Sequence, residues 1–321
     1  MRLRLGTRGS DLARTQSEGV AERLRAAGHE VELVVIRTAG DRSQAPSFGS
    51  IGAQGVFVRE IEQALLEREI DFAVHSFKDL PTASPPGLTI AAVPPREDPA
   101  DMLVVGRGAH DPGGAEGLPV AAGARVGTSS MRRTVWLEQL RPDLAVQPLR
   151  GNVPTRLGKL RAGEYDAIVL AAAGLARLSA PGGVLAGALG DVHIARLDPR
   201  RFVPAPAQGA LAVQCRADDA PIVAALAQLD DPATRAAAAI EREALRRAEG
   251  GCNTAFGAHC IANDGEFRVS AMLERDGRIV FAEAVGRSET ETVDRLWRII
   301  EAETWDEADA RDETDARDET E

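Results

Sequence analysis

Residues 125–171 read RVGTSSMRRTVWLEQLRPDLAVQPLRGNVPTRLGKLRAGEYDAIVLA. Three short apolar runs, Arg125–Gly127, Ala145–Leu149 and Ala167–Ala171, alternate with two amphipathic stretches, Ser130–Leu140 and Pro154–Ala162. Strands alternating with helices predict a parallel sheet covered on both faces. The same alternation fills the N-terminal stretch. Leu3–Gly6 and Val31–Arg37 read as strands around a helix Asp11–Ala27, with Ser10 as its N-cap and Gly28 as its stop. Val56–Arg68 reads as a helix with Phe57, Ile61, Ala64 and Leu65 on one face, before strands Phe72–His75 and Leu88–Val93. Two such units in series predict two α/β lobes flanking a cleft, with ligands beyond the carboxyl ends of the strands.

Outward from these units the chain divides further. Pro94-Pro95-Arg96-Glu97-Asp98-Pro99 reads as the crossing between lobes, and Met102–Val105 as the strand that follows. Ser43–Gly55 reads as a mobile lid and Asp111–Gly123 as a surface loop. Phe202–Gln208, with Pro204 and Pro206, reads as a return to the first lobe, ending in strand Ala210–Cys215. Next come an Ala-rich helix, Ala233–Arg247, three strands between Phe256 and Val285, and a helix, Glu291–Ala302. Asn263-Asp264-Gly265 and Asp276-Gly277 mark hairpins. The expected domains are 1–97 with about 202–217, 100–198, and an α+β unit at 219–305. Residues 306–321 form an acidic, low-complexity tail.

Charge and composition narrow the function. The net charge of −11 is concentrated in residues 301–321, where eleven acids meet two arginines. Between Arg125 and Arg177 the sign reverses, with nine bases against four acids. A basic middle on a near-neutral body points to an anionic ligand. Only 12 aromatic residues leave little for base stacking, so nucleic acid is disfavoured as a partner. No run approaches the roughly 20 apolar residues of a membrane helix, and the N-terminus turns polar too soon for a signal peptide. Three cysteines (Cys215, Cys252, Cys260), an odd number without C-x-x-C, fit the cytoplasm.

Several segments could carry chemistry. His75-Ser76-Phe77-Lys78-Asp79-Leu80-Pro81 follows a buried strand, and Lys78 is one of only two lysines beside 36 arginines. The plainer reading is a surface ion pair, with His75 a satisfied core histidine. Gly127-Thr128-Ser129-Ser130-Met131-Arg132-Arg133 and Arg150-Gly151-Asn152-Val153-Pro154-Thr155-Arg156 are both strand ends that open helices with arginines beside them. One such turn is an ordinary cap; two in one lobe suggest a carboxylate- or phosphate-rich ligand. Gly49-Ser-Ile-Gly52-Ala-Gln-Gly55 resembles a phosphate loop only loosely, because it lacks G-K-[ST], and a flexible lid is the better reading. Glu249-Gly250-Gly251-Cys252-Asn253-Thr254 exposes a cysteine on a tight loop, as a modified thiol or a structural one.

Together these segments resemble the porphobilinogen deaminase family, also called hydroxymethylbilane synthase. Further matching motifs are Thr7-Arg8-Gly9-Ser10 with Gln16, Arg96-Glu97-Asp98-Pro99, Ala172-Ala173-Gly174-Leu175 with Arg177-Leu178, and Gln208-Gly209-Ala210. The resemblance implies an α/β fold of two periplasmic-binding-protein-like lobes with a third small α+β domain. It implies a transferase of tetrapyrrole and heme biosynthesis that condenses four porphobilinogens head to tail into hydroxymethylbilane, releasing four ammonias. It implies one covalent dipyrromethane cofactor per chain, held as a thioether on Cys252, and Asp79 as the catalytic carboxylate. Cofactor and substrate carboxylates would meet Arg8, Ser10, Ser76, Lys78, Thr128, Ser129, Ser130, Arg132, Arg133, Arg150, Asn152, Arg156, Arg177 and Gln208. No metal is implied.

The chemistry suits these residue types. Every pyrrole carries an acetate and a propionate, and a guanidinium stays charged and forks onto carboxylates. Loss of ammonia leaves a cationic azafulvene, which a carboxylate stabilises. Lys78 and the arginines are expected to keep Asp79 ionised. This chain departs from many relatives in having Ser50 and Gln54 where they carry lysine, and whether Arg59 reaches the cleft stays open. Porphobilinogen is the expected small-molecule partner of a cytoplasmic monomer, with no nucleic acid or membrane partner. Two other classes fit parts of the pattern. A solute-binding protein would share the lobes, and a thiol enzyme would use Cys252 with His259 as its base.

Overall fold

A computed structural model describes residues 1–36, 50–248, 255–275 and 277–305. Ser10 caps the first helix, α1 (Asp11–Ala26), by accepting the Ala13 N–H at 3.4 Å. That helix follows strand β1 (Arg2–Thr7) and returns to β2 (Glu30–Val35), so the two strands lie parallel. Helix α2 (Ser50–Leu66) leads to β3 (Phe72–Ser76), also parallel to β1, and β4 (Leu88–Ala92) follows. The lid expected over Ser43–Gly55 is therefore corrected at its end, because the helix begins at Ser50; residues 43–49 lie outside the described residues.

A second sheet is built from β5 (Asp101–Gly106), β6 (Arg125–Gly127), β7 (Ala145–Gln147), β8 (Ala167–Ala171) and β9 (Val192–Arg196), in the order β7-β6-β8-β5-β9. Helices α3 (Met131–Leu140), α4 (Val153–Arg161) and α5 (Ala172–Ser179) connect them. Strand β10 (Leu211–Arg216) then re-enters the first sheet, whose order is β2-β1-β3-β10-β4. Both sheets are mixed, which corrects the parallel sheets expected from the alternation. Strand β5 runs antiparallel to β8 and β9, and β10 antiparallel to β3 and β4. The cause is the connection: these two strands arrive from the other lobe, not through the helical crossover that parallel pairing needs. Strand β9 and helix α6 (Ala220–Ala227) also escape the sequence pattern.

Period-two alternation places both faces of β8 in a core. Ala167 and Val169 pack with Leu103, Val126 and Leu137, while Ile168 and Leu170 pack with Leu149 and Leu157. Each of the Val, Leu and Ile side chains contributes about 1.5–3 kcal/mol of hydrophobic stabilisation. The third sheet, β11 (Phe256–Asn263), β12 (Glu266–Arg275) and β13 (Arg278–Gly286), is an antiparallel meander. One face packs on α7 (Pro232–Ala248) and α8 (Glu289–Trp305) through Ile240, Ala244, Val269, Val293 and Leu296. Met272 joins the core of the second lobe with Trp136 and Phe202. Its first hairpin turns at Asp264 (φ 47°) and Gly265 (φ 78°), the two positive φ angles of a type I′ turn.

Glu241, fully buried on α7, ties this domain to both crossings. It pairs with Arg96 at 2.7 Å and accepts the backbone N–H groups of Ala207 and Cys260. Although burial opposes ionisation, the Arg96 guanidinium and the His259 side chain pull its pKa from the ordinary 4.5 down to about 2. Between those values the unfolded chain binds the extra proton. The stabilisation is therefore fully present above about pH 4.5 and is lost as pH falls toward 2. Thermal unfolding of Glu241→Gln should show a loss of about 3–5 kcal/mol at neutral pH, because a buried guanidinium loses its partner. The deficit should shrink on acidification; a pH-independent deficit would contradict the assignment.

Candidate functional site

The expected site residues gather at the carboxyl ends of the parallel strands, where main-chain groups are left without sheet partners. Arg8 and Ser10 follow β1, and the turn Phe77–Asp79 follows β3. Thr128–Ser130 follow β6, and Arg150–Asn152 lie between β7 and α4.

On the first lobe, Ser76 accepts from the Gln16 side chain at 2.8 Å. His75 is a satisfied core histidine, as expected: its Nε2 lies 3.1 Å from Gln214 Oε1, and burial pushes its pKa down to about 4. Gln214 in turn donates to Glu62, whose carboxyl burial pushes up. Lys78 donates to Gln208 Oε1 at 3.1 Å. Burial lowers its pKa to about 8, opposed by the charge of Asp79. Asp79 is exposed at the tip of the turn. Arg59 is exposed on α2, close enough for its charge to act on Glu62.

The second lobe supplies hydroxyls and guanidiniums. Thr128 Oγ1 accepts the Ser130 N–H at 3.2 Å, and Ser129 exchanges hydrogen bonds with both backbone groups of Leu149. Ser130 precedes α3 without a side-chain capping bond. Asn152 caps α4 through Thr155. Arg150 is exposed. Arg156 uses Nε on the Gly151 carbonyl, and burial followed by the nearby Arg133 charge lowers its pKa. Arg177 donates to the Gly209 carbonyl at 2.9 Å, at the return crossing.

Three of the expected residues meet around one buried carboxylate. Arg132 and Arg133 are buried around Asp101, at 2.8 and 2.6 Å, and also donate to the carbonyls of Val203 and Val169. Their outer nitrogens serve the protein, while the Nε atoms of both are buried without a hydrogen-bond partner. Gln208 braces the same cluster. It is 0% exposed, accepts from Lys78, and donates to Asp101 at 2.9 Å and Pro99 at 2.8 Å. Sequence reasoning missed Asp101. A carboxylate heading the apolar strand Met102–Val105 was the available signal, since a charge there must be paired. The arginine charges hold Asp101 well below the usual carboxylate range despite its burial.

Cys252 and Gln54 lie where side chains are outside the described residues, as does Ser50. His259, considered as a thiol's base, instead presents Nδ1 to Glu241 at 3.5 Å. Cys215 and Cys260 are buried and free.

Residues 3–224 match the family model described as porphobilinogen deaminase, dipyromethane cofactor binding domain. The chain is 49% identical over 277 residues to a porphobilinogen deaminase of Mycobacterium tuberculosis (strain ATCC 25618 / H37Rv), covering 86% of this chain and 82% of that one. A porphobilinogen deaminase of Acidothermus cellulolyticus is 47% identical over 275 residues, with coverages of 84% and 78%. Another, from Syntrophobacter fumaroxidans, is 45% identical over 284 residues, with coverages of 87% and 86%.

With only two lysines in the chain, the Lys78 environment is directly measurable. In protein labelled at lysine Nζ, one NMR resonance should titrate with a midpoint near pH 8 and vanish in Lys78→Arg. A Lys78 midpoint above 10 would refute its burial.

Proposed function

The chain belongs to the porphobilinogen deaminase family, and on that premise we propose which of its residues carry the chemistry. It is a transferase of tetrapyrrole biosynthesis, condensing four porphobilinogens into hydroxymethylbilane with release of four ammonias on a dipyrromethane cofactor. We assign Cys252 as the thioether anchor, Asp79 as the catalytic carboxylate, and the two strand-end surfaces as the binding site for pyrrole carboxylates. The domains, in this reading, are 1–97 with about 202–217, 100–198 and 219–305, each centred on one sheet.

What supports the cofactor assignment is the chemistry of the donor set. Lys78, Arg150, Ser129 and Ser130 lie just beyond strand ends, and Arg156 lies on the first turn of α4. The unpartnered buried Nε atoms of Arg132 and Arg133 add donors suited to carboxylate. When bound, dipyrromethane supplies the electron-rich pyrrole to which the first porphobilinogen is joined.

The observation that carries the catalytic reading is the position of Asp79, exposed at a turn tip one residue from a half-buried lysine. As ammonia leaves the aminomethyl carbon of porphobilinogen, positive charge develops on the substrate. The Asp79 carboxylate opposes that charge electrostatically. It can also take up the substrate's pyrrole N–H proton, which becomes acidic as ammonia departs. Lys78 and the arginines bind the acetate and propionate groups, which orients the ring. The reading includes a cytoplasmic monomer, and cysteines without a pairing motif fit that compartment. Among the described residues no helix is long and apolar enough to cross a membrane.

Asp79→Asn should lower kcat by about 100-fold or more while intact mass still shows the attached cofactor. Near-normal turnover would remove Asp79 from this role. The intact mass of Cys252→Ser should lack the increment of two condensed pyrroles that the parent protein carries. A retained increment would move the anchor elsewhere.

A further inference from the structure

Arg242 lies on α7, in the helix that leads to the Cys252 segment, yet its side chain reaches the first lobe. Its Nη1 donates to the carbonyls of Phe77 at 3.2 Å and Leu80 at 3.1 Å, and its Nη2 donates to the Pro81 carbonyl. The guanidinium carbon also stands 4.4 Å from the centre of the Phe77 ring. One planar cation thus grips three carbonyls and one ring, all on the turn that presents Asp79. The turn's own closure is a single bond, Leu80 N–H to Phe77 O at 3.3 Å. Phe77 is seated beside Ala238, from the same helix as Arg242. An exposed carboxylate is aimed chiefly by the backbone beneath it.

We propose that Arg242 is a positioning residue for the reaction: it fixes the Phe77–Pro81 turn so that the Asp79 carboxylate stays at the reacting centre. The proposal rests on the reading of Asp79 as catalytic. It makes the third domain a working part of the first lobe's active turn. Arginine is required because its rigid fork serves several carbonyls while its face covers a ring; lysine offers one compact point of charge.

The test uses holoenzyme with cofactor attachment confirmed by mass. Displacing a reacting group by about 1 Å can cost roughly 100-fold in rate. Arg242→Gln should lower kcat by about 10- to 100-fold and change KM by less than about 3-fold. Arg242→Lys should fall between it and the parent, and serves if the Gln variant does not fold. In an Asp79→Asn background, which removes the group being aimed, either substitution should cost less than about 2-fold further. Unchanged kcat in both Arg242 variants, alongside a crippled Asp79→Asn, overturns the positioning role alone. The full loss repeated in the Asp79→Asn background also overturns it, by showing that Arg242 acts elsewhere. Normal turnover of Asp79→Asn itself overturns the reading of Asp79 on which the proposal stands.

Discussion

Burying Asp101 is the constraint from which the rest of the site follows. An isolated carboxylate in a dry interior costs several kcal/mol, and only close pairing offsets it. The partners are Arg132, Arg133 and Gln208, which come from α3 and from the return crossing. Satisfying one charge therefore fixes the distance between β5, α3 and the segment before β10. Because two guanidiniums share one carboxylate, the cluster keeps a positive surplus. Lys78, linked through Gln208, extends that surplus to the first lobe. The site's attraction for anions is thus built into the packing, not laid on an already finished surface.

Glu241 repeats the device at the third domain. It holds Arg96 from the outward crossing and the Ala207 N–H from the return crossing. Two buried carboxylates thereby clamp both chain passages between the lobes. Their difference is instructive. Asp101 faces two guanidiniums, whereas Glu241 faces one, together with two backbone donors and the His259 ring.

Local physics made much of this legible. Ser10 and Gly28 bracket α1 because capping and termination are set within a few residues. Asn263-Asp264-Gly265 announces its hairpin because only certain residues accept two positive φ angles. The strand-end positions of Lys78, Asp79 and Arg150 followed from alternation alone. Strand direction did not, since period-two patterning is the same for either orientation of a neighbour. Strand β9 stayed hidden because it is an edge strand, half exposed along its length, and shows little apolar contrast. Asp101 was hidden for another reason: its partners stand 31, 32 and 107 residues away, and no local pattern carries that pairing. The family motifs located the arginines, but could not tell which nitrogens the protein itself consumes.

The placement of β10 has a consequence for how the chain is made. Strand β4 ends at Ala92, and its sheet partner β10 starts only at Leu211. A ribosome adding about 5–20 residues per second needs roughly 6–24 s to cover that interval. Through that time the nascent first lobe carries a strand with no neighbour and a third strand with one open edge. The second lobe, whose five strands span 101–196, emerges whole in between. Synthesis thus favours an order in which the middle of the polypeptide sets first and the beginning waits for it. Unpaired edges of this sort are what other chains can pair with. Crowded translation, more than the finished enzyme's stability, is where this architecture is most exposed to aggregation.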